Sequence, residues 1–278
     1  MPLRKEAANL EVYSAQEVVA HFAKLSYLTA CERFLFDTYL RRGTAILDLG
    51  VGGGRTTPYL SEMASRYVGV DYSEEMIRVC RDKFRAARLQ FEVADAADLS
   101  SFADASFDAV VFSFNGLDYL APDEKREQCL GECYRLLRQG GVLIFSSHNP
   151  RSLFLDLQWD RERLRTLAAK VSQEGSFLFN LTLGMLTCGR LALAVVRSFV
   201  KAIPRACRRL PTAAFWKGDG FLMDPANGGL LTHCAVPDRV VAELANFNFR
   251  LLAVLPEDHP RRSHLYGTRW FYYAFSKD

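Results

Sequence analysis

Ile46-Leu47-Asp48-Leu49-Gly50-Val51-Gly52-Gly53-Gly54-Arg55 is the stretch whose reading decides the fold. Ile46, Leu47 and Leu49 are the apolar end of a buried parallel strand, and the glycines after them let the backbone turn sharply and approach a ligand closely. Thr56 and Thr57 are capping residue types and Pro58 is tolerated in a first turn, so a helix follows. Strand, glycine loop and helix N-terminus form a nucleotide-sized cradle whose backbone N–H groups can bind the polar end of a ligand. A dinucleotide loop needs G-x-G-x-x-G. Three residues after Gly52 stands Arg55, and three after Gly54 stands Thr57, so that pattern fails.

Outward from the loop the chain repeats strand and helix. Tyr67 to Val70 is a second strand ending on Asp71, with Ser73 opening the next helix. A carboxylate about twenty residues past a glycine loop, at the end of strand two, is placed to accept hydrogen bonds from ribose hydroxyls. Leu89 to Val93 is a third strand, Phe107 to Phe114 a fourth and Val142 to Ser146 a fifth, with a helix over 122–137 and a turn at Gly140-Gly141 before the fifth. Such alternation implies a parallel sheet with right-handed crossovers, whose ligand loops share one edge. Before the glycine loop, 14–41 reads as two helices, and after a long interruption a helix from Val236 and two strands, 249–255 and 270–275, resume the pattern.

At 278 residues, with 49% apolar and 24% charged side chains, the chain has room for one large α/β domain with an added element, and neither disorder nor a fibre is indicated. Seven scattered cysteines, none in a C-x-x-C pair, suit reduced, cytoplasmic usage. Cys129 and Cys133 share a helical face but have no histidine near them in sequence, so they read as buried thiols and no metal is expected. The first fourteen residues have no apolar core of a secretory signal.

The net charge of +3 conceals an asymmetry: Lys and Arg number 17 against 21 Asp and Glu over 1–150, and 18 against 11 over 151–278. From Gly175 to Gly218 there is no acid, and Arg190, Arg197 and Lys201 recur on one helical face of an otherwise apolar segment too polar at its centre for an ordinary membrane span. The segment 150–231 is expected to be a largely helical lid, with peripheral membrane contact as its rival use. Its leucine- and valine-rich composition disfavours nucleic acid.

The D-L-G-x-G-x-G pattern, with Asp48 two residues ahead of Gly50, resembles motif I of the class I S-adenosylmethionine (SAM)-dependent methyltransferases, and Ser106-Phe107-Asp108-Ala109-Val110-Val111-Phe112-Ser113 is worded like that family's fourth strand. The resemblance covers 1–150 specifically and 232–278 loosely. It implies a doubly wound, seven-stranded Rossmann-like α/β sheet, mostly parallel with an antiparallel last strand, over three parts: 1–149 for SAM, 150–231 for the lid and 232–278 completing the sheet. It implies SAM as cofactor, with Asp48 toward its ammonium, Asp71 on the ribose, and Asp95 and the Ala96 N–H on the adenine edge. Gly50, Gly52, Gly54, Arg55, Tyr72, Met76 and Ser113 complete the expected cofactor site. Tyr13 or Tyr27 is placed to touch the ligand unless these aromatics are core.

The expected reaction is methyl transfer to an oxygen or nitrogen of a small-molecule acceptor. A hydroxyl acceptor needs a base, and His148, at the end of strand five in Ser146-Ser147-His148-Asn149, is the candidate. His233, read as entering the helix after the insertion, is second. The alternatives are a non-catalytic module of the same fold that binds a membrane or partner, and an RNA methyltransferase. The acceptor and the oligomeric state are left open.

Overall fold

The computed structural model of the chain describes residues 13–120, 123–152, 213–224, 230–260 and 268–278. Helices α1 (Gln16–Ala23) and α2 (Ala30–Tyr39) precede β1 (Thr44–Leu49), and then come α3 (Thr57–Met63), β2 (Ala64–Asp71), α4 (Glu74–Lys83), β3 (Leu89–Val93) and β4 (Phe107–Phe112). A 3-10 turn (Gly116–Tyr119), α5 (Asp123–Leu136) and β5 (Leu137–His148) follow. The last part holds α6 (Ala213–Lys217), β6 (Asp219–Asp224), β7 (Leu230–Ala235), α7 (Pro237–Ala245), β8 (Phe249–Pro256) and β9 (Trp270–Lys277).

Seven strands form one sheet in the order β3-β2-β1-β4-β5-β9-β8. The first five run parallel, and β9 enters antiparallel between β5 and β8, as expected for an antiparallel last strand. The order reverses at β1, which pairs with β2 on one side and β4 on the other, so the crevice at its C-terminal end is where an open α/β sheet takes its ligand. All six residues of β1 are buried, because helices cover both faces of the sheet. Leu47, Leu49, Val110 and Phe145 pack on one face, Ile46, Val111, Ile144 and Tyr272 on the other. Each such side chain contributes about 1.5–3 kcal/mol by leaving water.

Three local expectations change. The turn at 138–141 is an irregularity inside β5: Leu137 pairs with Phe107, and the ladder resumes with Val142 on Ala109, the chain bending at Gly140, whose φ is +73°. Thr56 stands at the N-cap of α3 without capping it, because its hydroxyl is donated to Asp48. His233 lies not at a helix start but on β7, which pairs with β6 in a separate two-stranded antiparallel sheet. The helix begins only at Pro237, a residue suited to a first turn. The described end of the expected helical lid is therefore a short helix and a hairpin strand, while Arg190, Arg197 and Lys201 lie outside the described residues. No helix among the described residues is long and apolar enough to cross a membrane.

Candidate active site

The crevice is built from the loop after β1 and the carboxylate that ends β2. Gly52 has φ +52° and an N–H that donates to Asp71 Oδ2 at 2.9 Å. Asp71 Oδ1 accepts from the Ser73 N–H at 3.0 Å, so one buried carboxylate fixes both the glycine loop and the start of α4. Burial raises the Asp71 pKa, against the hydrogen bonds from the backbone of Ser73, Gly52 and Tyr72. A Cβ at Gly53 would stand 2.6 Å from the backbone of Phe22 and Ala23, so only glycine lets the end of α1 rest on the loop. Lys83 clamps the two together by donating to Ala23 O at 2.8 Å and Gly53 O at 2.9 Å.

Asp48, at the end of β1, is buried. Its Oδ2 accepts from Thr56 and from the Tyr67 hydroxyl, both at 2.7 Å, and its Oδ1 is buried with no hydrogen-bond partner among the described residues. Burial pushes its pKa up to about 6, against the hydrogen bonds of Tyr67 and Thr56 and the charge of Arg55. A carboxyl whose folded pKa exceeds its unfolded one stabilises the fold while protonated, fully below the unfolded value near 4, and this contribution is lost as pH rises through about 6. Asp48→Asn has no such titration. The stability of the variant relative to the native chain should therefore rise by roughly 2–3 kcal/mol between pH 4 and 7, read from urea unfolding at both pH values. A pH-independent difference would refute the assignment.

The other expected cofactor residues divide. Tyr72 is 39% exposed beside Asp71, Met76 is buried on α4, and Ala96 and Ser113 are half-buried at the ends of β3 and β4. Asp95 accepts from the Ala97 N–H at 2.9 Å and from Lys125 on α5, so its carboxylate already has partners. Arg55 is held by α2 and the end of β4: its guanidinium forks onto Glu32 of α2 at 2.8 and 2.5 Å, donates to Tyr27 O at 2.9 Å, and stacks on the Tyr27 and Phe114 rings. Its role is to pin α2 to the loop. Tyr13 bridges the rings of Tyr72 at 6.5 Å and Tyr119 at 5.8 Å, which extends the N-terminal segment across the crevice, and Tyr119 in turn meets His148 at 6.0 Å.

Around His148 stands a group that sequence reasoning missed. Asp118, in the 3-10 turn after β4, has no solvent exposure. Its Oδ2 accepts from His148 Nδ1 at 2.9 Å and from the His148 N–H at 2.6 Å, and its Oδ1 accepts from Ser147 Oγ at 2.9 Å and Arg126 Nη1 at 3.1 Å. Burial alone would raise its pKa, but the hydrogen bonds and charges of His148, His233 and Arg126 hold it well below the ordinary carboxylate range. Arg126, buried on α5, also donates to both oxygens of Glu243 on α7 at 2.7 and 3.0 Å.

His233 Nδ1 stands 3.9 Å from Asp118 Oδ1, a distance for charge attraction rather than a hydrogen bond, and has no hydrogen-bond partner among the described residues. Its Nε2 meets Asp219 Oδ1 at 3.0 Å. Burial and Arg126 lower the His233 pKa, yet Asp118 and Asp219 prevail and raise it. A cavity of about 720 Å³, lined by Arg126, Lys217, Asp219, Phe221, His233 and Arg239 among others, opens beside it. The fold thus brings the two expected histidines to one carboxylate. Among the described residues, no group of three or more His, Cys, Asp or Glu is arranged to hold a metal ion. One signal for Asp118 was available: an acid just past the C-terminal end of β4, beside the strand that carries His148.

Residues 47–145 match the family model described as a methyltransferase domain. The chain is 31% identical over 124 residues to the putative methyltransferase YqeM of Bacillus subtilis, covering 41% of this chain and 50% of that one. It is 33% identical over 122 residues to the fatty-acid O-methyltransferase of Mycolicibacterium smegmatis, covering 43% and 42%. The chain spans about half the length of the curated relatives it matches. Among solved structures, the 1,6-didemethyltoxoflavin-N1-methyltransferase of Burkholderia thailandensis, holding 1,6-didemethyltoxoflavin and S-adenosylhomocysteine, superposes with a TM-score of 0.59 at 15% identity, covering 100% of this chain and 90% of that one. That likeness is one of fold.

Proposed function

We propose that this chain, whose residues 47–145 constitute a methyltransferase domain of the class I SAM-dependent kind, transfers a methyl group from SAM to an oxygen or nitrogen of a small-molecule acceptor. The observation that carries the reading is the crevice at β1: a glycine loop in left-handed turns, anchored to Asp71, beside an Asp48 carboxylate with one buried oxygen unpartnered. That oxygen suits the ammonium of the cofactor's amino-acid end. Asp71 suits the ribose hydroxyls, and Tyr72, Met76 and Ala96 stand around the place for the adenine. Asp95 serves its amine once Lys125 yields one oxygen. SAM, when bound, supplies an electrophilic methyl carbon and a neutral thioether leaving group.

The chain's own contribution is to hold the acceptor in line and to manage its proton, since positioning supplies most of the rate of such a displacement. His148 is the group to receive that proton, and His233 stands behind it on the other side of Asp118. Relatives act on an oxygen in one case and a ring nitrogen in another, by their names, so both acceptor atoms belong to the reading. The last residues of 150–231, on α6 and β6, line the cavity beside His233, which supports the segment's role in shaping an acceptor chamber.

Calorimetry with SAM and with S-adenosylhomocysteine is the first test. Both should bind, and Asp71→Ala, which loses two hydrogen bonds to a charged acceptor at about 1.5–3 kcal/mol each, should weaken both by at least a hundredfold. Incubation with radiolabelled SAM and a metabolite extract should then yield a labelled small molecule. Wild-type affinity in Asp71→Ala, or the absence of any labelled product, would refute the reading.

A further inference from the structure

The two oxygens of Asp118 receive hydrogen bonds from four donors, namely His148 Nδ1, the His148 N–H, Ser147 Oγ and Arg126 Nη1, which is the coordination of an anion. An anionic acceptor at 2.9 Å from Nδ1 requires that this nitrogen carry the proton. The neutral ring therefore presents a lone pair at Nε2. Among the described residues that nitrogen meets only Asn115 Nδ2, at 3.3 Å, the long end of a hydrogen bond, and the His148 side chain is 21% exposed, so its outer edge is reachable. Asn115 is itself set in the left-handed conformation, φ +60°, its N–H donating to Ser146 Oγ at 2.8 Å. Tyr119 and Trp270 flank the imidazole at 6.0 and 6.3 Å and limit its rotation.

We infer that Asp118 is the positioning residue that makes His148 a base, and that the acceptor is accordingly a hydroxyl rather than an amine. This rests on the methyltransferase reading above. A neutral amine attacks with its own lone pair and sheds a proton afterwards, whereas a hydroxyl must lose its proton as it attacks, so a fixed lone pair backed by a buried carboxylate is what the second needs and the first does not. In the step, the acceptor O–H bond breaks and its proton goes to His148 Nε2. The oxygen pair forms the new carbon–oxygen bond, the sulfur keeps the pair of the broken carbon–sulfur bond, and the imidazolium then returns its proton to solvent. Asp118 gains a charged partner during the step and stays ionised. The charged and titratable groups facing this pair come from every neighbouring element: Arg126 of α5, His233 of β7 with Asp219 of β6, Glu243 of α7, and the Tyr273 hydroxyl of β9, buried with no hydrogen-bond partner.

The test combines nitrogen NMR of histidine-labelled protein with kinetics. In the native chain without cofactor, neutral His148 should carry its proton on Nδ1. In Asp118→Asn the preference of that proton for Nδ1 should be lost, and turnover at neutral pH should fall at least about tenfold with KM for SAM unchanged. The labelled product should be a methyl ether. A neutral His148 protonated on Nε2, an unchanged tautomer in Asp118→Asn, or an N-methylated product would each overturn the inference. Where Asp118→Asn does not fold, the tautomer in the native chain decides alone. Failure of the underlying reading is distinguishable, because it appears as absence of SAM binding and of any labelled product while the NMR result is unaffected.

Discussion

Arg126→Ala is expected to lower the unfolding free energy by about 3–5 kcal/mol, measured by urea denaturation at pH 7. The side chain is almost wholly buried and binds two carboxylates at once, Asp118 and Glu243. Removing it leaves Asp118 ionised in a site without solvent exposure, with His148 and Ser147 as its remaining donors. Glu243 suffers less, since its side chain is 25% exposed and can be hydrated. The ion pair of Arg250 with Asp278 provides the contrast: both side chains are more than half exposed, and Arg250→Ala should cost about 0–1 kcal/mol. Equal losses in the two variants would show that burial does not set the cost. Because Arg126 joins α5 to α7 across the turn that holds Asp118, its loss should also lower turnover through His148.

His148→Ala should reduce turnover by about 10²–10⁴, the range for loss of a positioned base, with calorimetric affinity for SAM nearly unchanged. Cofactor affinity is expected to survive because, among the described residues, the polar partners of this imidazole are Asp118 and Asn115, which lie outside the loops after β1 and β2. Added imidazole should restore part of the rate, since it can enter the space left between Tyr119 and Trp270. Unchanged turnover in the variant would mean that the acceptor attacks without a base. Parallel loss of cofactor affinity would place His148 in the binding of SAM instead.

The features legible in the sequence are those whose physics is local. A strand buried on both faces is apolar along its whole length, a left-handed turn selects glycine, and Ser73 caps α4 with its own hydroxyl, accepting from the Met76 N–H at 3.3 Å. From Ile46 to Asp71 these signals lie within one strand–helix–strand unit, so the cradle followed from pattern, while the antiparallel closure by β9 was expected from the family resemblance and the reversal of strand order at β1 came from the structure. The β6–β7 hairpin was not legible, because Leu230 to Ala235 is short and its alternation is too weak to separate a strand from the start of a helix. Arg55 stands in the cofactor motif yet is claimed by Glu32, twenty-three positions earlier, a choice no local pattern encodes. The same holds more strongly for Asp118, to whose 3-10 turn two strands bring His148 and His233 and one helix brings Arg126, itself held by Glu243 of another. Sequence by itself determined the sheet, the glycine cradle and the histidines worth considering. Only tertiary structure decided which charges lose water together, and since the cost of a buried ion depends on every group that surrounds it, that decision cannot be read along the chain.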